Sequence, residues 1–204
     1  MSAPRGIQSR AVDGDTLRTF VALELPGDAR ARLLDLQARL RPRLAGLRFT
    51  AAETLHLTLR FLGDATPAQV ASVARDVGAA CALCPRASVR FTGLGLFPER
   101  GAPRILWVGL DLPPALLDLQ RACERAARAA GFEAERRPFT PHLTLGRWRE
   151  SVPRPALDGP DLGAATLARV AVFSSELHPA GARHTPLHVF DLPPEPAAAQ
   201  SVRG

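Results

Sequence analysis

The stretches Leu55-His56-Leu57-Thr58-Leu59 and Pro141-His142-Leu143-Thr144-Leu145 share the tetrapeptide His-Leu-Thr-Leu, at an offset of 86 residues (142 − 56). Two further segments repeat in the same order. Val21-Ala22-Leu23-Glu24-Leu25-Pro26 is echoed by Val108-Gly109-Leu110-Asp111-Leu112-Pro113, at an offset of 87 (108 − 21). Leu33-Leu34-Asp35-Leu36-Gln37 recurs unchanged as Leu116-Leu117-Asp118-Leu119-Gln120, at an offset of 83 (116 − 33). Two copies are too few for a solenoid, so the repeat predicts two strand-helix-strand modules facing each other about a pseudo-two-fold axis.

Successive side chains on a strand point to opposite faces. In each tetrapeptide the leucines therefore bury while His and Thr emerge together. Across a two-fold, the emerging pairs converge on a groove and offer two imidazoles and two hydroxyls to one small ligand. An imidazole with an ordinary pKa near 6.5 either takes or gives a proton around neutral pH. A pair of them suits phosphodiester cleavage, with hydroxyls donating to the phosphate oxygens where charge gathers. One His-x-Thr alone is ordinary strand composition. A second identical copy, in step with an independent repeat, is not explained by strand propensity, which would preserve apolar and β-branched character without preserving both His and Thr.

Working outward, apolar segments predict strands over Leu17–Leu25, Leu47–Thr50, Leu55–Leu62, Ser88–Phe97, Arg104–Leu110, His142–Trp148, Leu167–Leu177 and Leu187–Leu192. Helical spacing predicts Asp28–Leu40, Ala68–Leu83 and Pro114–Ala130, the last stopped by Gly131. The organisation expected is a single domain over 17–192, with polar tails at 1–16 and 193–204 read as disordered.

The 204 residues are 46% hydrophobic, enough for a sizeable core. Three cysteines cannot all pair, and no stretch reads as a signal peptide, so a cytoplasmic protein is expected. Charges and prolines interrupt every apolar run before membrane-spanning length. The 26 basic residues are all arginine, against 20 acids, giving +6. Guanidinium groups suit a phosphate-bearing partner, although an arginine, alanine and proline bias also follows from genomic base composition.

Several residues carry a bland reading. Cys81-x-x-Cys84 lacks a second Cys/His pair at metal-ligand spacing and reads as packing, and no metal site is expected. His178, His184 and His188 read as loop or surface histidines, with His184 a minor candidate for flanking substrate. Arg136 and Arg137 read as solvated surface. Phe20, Phe61, Trp107 and Phe139 read mainly as core. Phe139 and Trp148 lie near the second motif, where one ring would stack on a base.

The paired His-x-Thr motifs come with longer signatures. These are Arg18-Thr19-Phe20-Val21-Ala22, Leu55 through Gly63, Arg137 through Arg147, Pro103 through Gly109, and Ser175-Glu176-Leu177-His178-Pro179-Ala180-Gly181. Together they resemble the 2H (two-histidine) phosphoesterase superfamily, and within it the RNA 2′,3′-cyclic phosphodiesterases, LigT-like proteins historically called 2′-5′ RNA ligases. The resemblance covers about residues 17 to 192. It departs at His184, where relatives usually carry Tyr.

The resemblance implies a bilobal α+β fold, with two antiparallel sheets lining a cleft and helices outside. It implies no cofactor and hydrolysis of a terminal 2′,3′-cyclic phosphate to a 2′-phosphate, reversible as 2′-5′ ligation. His56 is then the proton donor and His142 the acceptor, with Thr58 and Thr144 on the phosphate. Arg147, Phe20 and Phe139 complete the candidate substrate contacts. The partners implied are RNA ends or nucleotides bearing a cyclic phosphate, bound by a monomer without a membrane. Two alternatives stay open: a phosphodiesterase of small cyclic nucleotides or 2′-5′ oligonucleotides, and a noncatalytic RNA-end binding module.

Overall fold

A computed structural model describes residues 16–178 and 181–195. The elements run β1 (Leu17–Glu24), α1 (Gly27–Leu40), β2 (Leu47–Phe49), a 3₁₀ turn (Ala52–Thr54), β3 (His56–Ala65), α2 (Pro67–Leu83), β4 (Ala87–Phe97) and β5 (Ile105–Asp111). They continue with α3 (Pro114–Ala129), β6 (His142–Trp148), β7 (Ala164–Leu167), β8 (Arg169–His178) and β9 (Gly181–Asp191). The three expected helices lie within one residue of their predicted ends. Local chemistry explains why. Thr66 and Gln69 form a capping box ahead of Pro67 at the start of α2. Pro114 opens α3 in the same manner, and Gly131 takes a φ of +90° just past its end.

The strands form two antiparallel sheets, ordered β3-β1-β8-β9 and β2-β6-β5-β4-β7. Each repeat module places its two strands side by side: β1 with β3 in the four-stranded sheet, β5 with β6 in the five-stranded one. The helices exchange partners. From α1, Arg32 donates to the Ala164 carbonyl of β7 at 2.8 Å and Gln37 donates to the Leu145 carbonyl of β6 at 3.2 Å, so the first module's helix covers the second module's sheet. In return α3 packs on β3 and beside α2, over the four-stranded sheet. Leucines from both motifs, Leu57, Leu59, Leu143 and Leu145, are at most 2% exposed and join one continuous core with α1, α2 and α3. Burial of each stabilises the fold by about 1.5–3 kcal/mol. That packing fixes which side of each strand His and Thr occupy.

Two differences from the expected strands bear on the site, beside smaller ones such as β3 running on to Ala65. The segment expected as one strand over Leu167–Leu177 breaks at Ala168, whose carbonyl accepts from the Leu192 amide at 2.8 Å. Residues before the break pair with β4 and those after it with β1, so the chain changes sheets there. The last strand begins at Gly181 and not at Leu187. Its first half, Gly-Ala-Arg-His-Thr-Pro, lacks an apolar alternation because β9 is an edge strand, the place where a sheet tolerates Pro186. This extension brings His184 into the sheet opposite Ser175.

Of the tails expected at 1–16 and 193–204, residues 1–15 and 196–204 lie outside the described residues, as do Pro179 and Ala180 of the late turn. Pro193 is tied down by the Arg86 amide, 2.8 Å from its carbonyl. Among the described residues, no helix is long and apolar enough to cross a membrane.

Candidate active site

His56 and His142 are the first residues of β3 and β6, which touch although they belong to different sheets. Each ring is anchored identically. His56 Nδ1 donates to the Thr54 carbonyl and His142 Nδ1 to the Thr140 carbonyl, both at 2.7 Å. A carbonyl only accepts, so Nδ1 carries the hydrogen and each Nε2 of the neutral ring is left as an acceptor. Thr58 Oγ1 lies 3.1 Å from His56 Nε2 and donates to it while the imidazole is neutral.

Immediately after each His-x-Thr the strand bulges. Across β1, the register passes from Ala22↔Thr58 to Val21↔Arg60 and omits Leu59. Across β5, it passes from Trp107↔Thr144 to Leu106↔Gly146 and omits Leu145. An inserted residue reverses the alternation beyond it. Arg60 consequently turns inward, is 9% exposed, and pairs with Glu124 of α3 at 2.6 Å. Phe61 turns outward to the face of His56 and Thr58. On β6 the same reversal puts Arg147 on the face of His142 and Thr144. Gly146 occupies the inward position equivalent to Arg60. A Cβ there would lie 2.8 Å from the Arg48 carbonyl and 2.9 Å from Leu47 Cγ, so no side chain fits.

The environments of the two imidazoles differ. His56 stacks on Phe20 (centroids 4.7 Å apart, planes at 25°) and meets His184 edge-on at 5.3 Å, with Phe173 at 6.3 Å. Burial, then the neighbouring His184, push its pKa down to about 4, against a smaller upward pull from the Thr54 carbonyl. His142 meets Phe97 edge-on at 5.1 Å and Trp107 at 6.2 Å. The Trp107 ring lies across Gly95, where a Cβ would come within 2.1 Å of it. Burial lowers the pKa of His142, with Arg147 adding to the effect. His184 is lowered by burial, and its Nδ1 is buried without a hydrogen-bond partner among the described residues.

The remaining candidates separate by position. Arg147 pairs in register with Arg48 of β2, and burial lowers its pKa. Among the described residues neither arginine has an acidic or hydrogen-bonding partner. Phe20 is 3% exposed, so it forms the wall behind His56 and offers a ligand almost no surface. Phe139 is half-buried and packs against the core. Trp148 is 5% exposed and donates from Nε1 to the Ala45 carbonyl at 3.1 Å, which leaves no face for a base.

Two residues are placed differently from their sequence reading. Phe61, read as core, is 56% exposed, and His184, read as surface, touches His56 and Phe20. The bulge and the lengthened β9 cause these changes, and neither has a mark in local composition. Cys81, Cys84 and Cys123 are buried and unpaired, and burial raises all three thiols, Cys81 to about 12. They behave as core. Among the described residues, no three His, Cys, Asp or Glu side chains group closely enough to hold a metal ion.

The described geometry agrees with comparisons to known proteins. A family model described as LigT like Phosphoesterase matches residues 23–107 and 110–184. The RNA 2′,3′-cyclic phosphodiesterase of Methanothermobacter thermautotrophicus is 30% identical over 86% of this chain and 99% of its own length. That of Thermus thermophilus is 32% identical over 86% and 90%. The match to the Geobacillus stearothermophilus phosphodiesterase, 35% identical, covers 66% of this chain and 43% of that protein. Among solved structures, TT0787 of Thermus thermophilus superposes with a TM-score of 0.78, at 28% identity over 88% of this chain and all of the other. Escherichia coli LigT complexed with 3′-AMP gives 0.73 at 28% identity, over 87% and 98%. With its two His-x-Thr strands, reciprocal helices and matching family model, the chain belongs to the LigT-like phosphoesterases of the 2H superfamily.

Proposed function

We propose that this protein hydrolyses the terminal 2′,3′-cyclic phosphate of RNA to a 2′-phosphate, by acid/base catalysis between His56 and His142. The observation that carries the reading is the matched pair of Nε2 atoms, each on a strand that carries a threonine two residues on, the two strands touching and each ring fixed by an identical Nδ1–carbonyl bond. Several relatives are named RNA 2′,3′-cyclic phosphodiesterase, in agreement with it.

In the proposed reaction, His142 Nε2 removes a proton from water as its oxygen bonds to phosphorus. His56 Nε2, protonated, gives its proton to O3′ as the P–O3′ bond breaks. One proton enters the site from water and one leaves on the 3′ hydroxyl, so the pair exchanges states and resets through solvent. Thr58 and Thr144 donate to nonbridging oxygens, and Arg147 offsets their charge. An in-line displacement places the ribose, which carries the leaving O3′, on the His56 side and water on the His142 side. Run backwards, the same groups join a 2′-phosphate to a hydroxyl. The proposal includes a monomeric protein of a reducing cytoplasm, a setting that suits three unpaired thiols.

An oligoribonucleotide ending in a 2′,3′-cyclic phosphate and a 2′,3′-cyclic mononucleotide, each followed by phosphorus NMR, test the reading. Formation of a 2′-phosphomonoester, faster on the oligonucleotide, is expected. Formation of a 3′-phosphomonoester, or no turnover of either, overturns it.

A further inference from the structure

Arg48 of β2 and Arg147 of β6 stand directly opposite each other at one side of the five-stranded sheet, and both are exposed. Like charges in that relation destabilise a sheet. Among the described residues no carboxylate forms an ion pair with either of them. Two separate devices nevertheless turn both side chains to the cleft face. Leu47 and Phe49 pack into the core on either side of Arg48, so strand alternation sends Arg48 the other way. The bulge after Thr144 does the same for Arg147. Gly146 has no side chain to hold β2 off, since a Cβ there would lie 2.8 Å from the Arg48 carbonyl. Two guanidiniums kept side by side call for an anion, and phosphate is one that they match bidentately.

We propose that Arg48 binds the phosphodiester on the 5′ side of the terminal nucleotide, so that the preferred substrate is the end of an RNA strand and not a mononucleotide; the inference rests on the cyclic-phosphate reading of the same site. Position divides the two arginines. Arg147 lies on the strand of Thr144 and serves the reacting phosphate, while Arg48 lies one strand further. In β5, Trp107 opposite Thr144 and Ile105 opposite Arg147 are two residues apart, which sets the arginine row about 7 Å from the threonine row. That interval is close to the spacing of neighbouring phosphates along an RNA strand.

The direction agrees with the chemistry. β2 leads through the 3₁₀ turn to His56, so Arg48 belongs to the flank of the cleft on which the proposed displacement puts the ribose. The 5′ oxygen of that ribose carries the next phosphodiester. A 2′,3′-cyclic mononucleotide has no phosphate at this place and leaves Arg48 unused.

The test compares 2′,3′-cyclic AMP with the dinucleotide ApA closed by a 2′,3′-cyclic phosphate, and with the same dinucleotide joined by an uncharged methylphosphonate. Arg48→Met keeps the apolar stem and removes the charge. It is expected to raise KM for the ordinary dinucleotide roughly 10- to 150-fold, the range of one lost hydrogen bond to a charged group. The fall of log kcat/KM with log salt should become shallower by about 0.7, the share of one phosphate contact on a single strand. KM and kcat on 2′,3′-cyclic AMP should stay as in the wild type, and Arg48→Lys should retain part of the affinity. Wild-type protein should show the same rise in KM on the methylphosphonate, to which Arg48→Met adds nothing. Equal losses on cyclic AMP and dinucleotide would put Arg48 on the reacting phosphate and overturn the proposal, as would no change on either. A wild-type protein that handles the methylphosphonate as well as the diester overturns it without any variant. If wild-type protein turns over neither cyclic AMP nor the dinucleotide, the reading of the site fails; if it turns over both and Arg48→Met is indifferent to the second phosphate, only this inference fails.

Discussion

Gln37 of α1 donates from Nε2 to the main-chain carbonyl of Leu145, 3.2 Å away and 108 residues later in the chain. Its repeat equivalent, Gln120 of α3, donates to the carbonyl of Leu59 at 3.4 Å. Leu59 and Leu145 are the residues that the two β-ladders omit, and the Leu145 carbonyl also accepts from the Thr50 amide at 2.8 Å. Each module's helix therefore hydrogen-bonds the bulged residue of the other module, which gives the identical Leu-Leu-Asp-Leu-Gln segments a physical purpose. Gln37 is 3% exposed, and it also donates to Thr50 at 2.9 Å.

Replacing Gln37 with Leu removes one hydrogen bond from each of two carbonyls, Thr50 and Leu145, of which Leu145 keeps its bond from the Thr50 amide. The expected cost is about 1–3 kcal/mol in urea unfolding, with a fall in kcat because the bulge that aims Arg147 loosens. Gln120→Leu, whose bond is longer and half-buried, should cost less. A larger loss for Gln120 than for Gln37 would contradict this account of the bulges.

The elements of this fold were legible because the repeat, the leucine alternation and the helix-start prolines all act locally. His56, Thr58, His142 and Thr144 needed only the period of a strand. Phe61, Arg60 and His184 required knowledge of pairing. Whether Arg60 turns inward depends on a register slip against β1. The inward place of His184 depends on β9 adding a fourth strand, which no alternation in Gly181–Pro186 announces. Side-chain direction beyond a bulge is a tertiary property, and the same Leu59-Arg60-Phe61 on a regular ladder would bury Phe61 and expose Arg60.

Thr58→Val and Thr144→Val keep the β-branched shape that suits a strand and remove only a hydroxyl. Both threonines are half-buried with an open polar face, so melting temperatures should change little. If the hydroxyls stabilise charge on phosphate, kcat/KM should fall by about 2–4 kcal/mol in each variant. Wild-type rates in both would make the threonines structural.

His184 bears on the charge state of His56. The groups facing His56 are Phe20, Phe173, His184 and, across the cleft, His142, with Glu24 opposite it on β1. Burial lowers the His56 pKa most, and a cationic His184 opposes protonation further. His184→Phe retains a ring and removes that repulsion, so the His56 pKa should rise, as read from its imidazole proton shift in an NMR titration. A pKa that falls or stays put would show that burial alone sets it.

In the proposed reaction two imidazoles supply the proton transfers that a metal-activated water supplies elsewhere, so excess EDTA is expected to leave the rate unchanged. A loss of activity that a divalent ion restores would refute the two-histidine scheme.

The same scheme requires one imidazole protonated and the other not, and the free protein resists the protonated half. Burial holds His56 near 4 and His142 below its ordinary value, so at neutral pH the free site is mostly doubly neutral. A cyclic phosphate monoanion between the rings favours imidazolium and raises both values. Since kcat/KM reports the free protein and kcat the complex, both limbs of the kcat profile should lie at higher pH than those of kcat/KM. Coincident profiles would mean that the phosphate does not sit between the rings. Substitution then assigns the limbs. His142→Ala removes the base, so the rising acidic limb should flatten in the residual activity. His56→Ala removes the acid, and a nitrophenyl phosphodiester, whose leaving group departs without a proton, should recover much of the rate. The double variant should be little worse than the worse single one, because both groups act on one transition state. Rescue of His142→Ala in place of His56→Ala would exchange donor and acceptor, and with them the side of the cleft on which the ribose must lie.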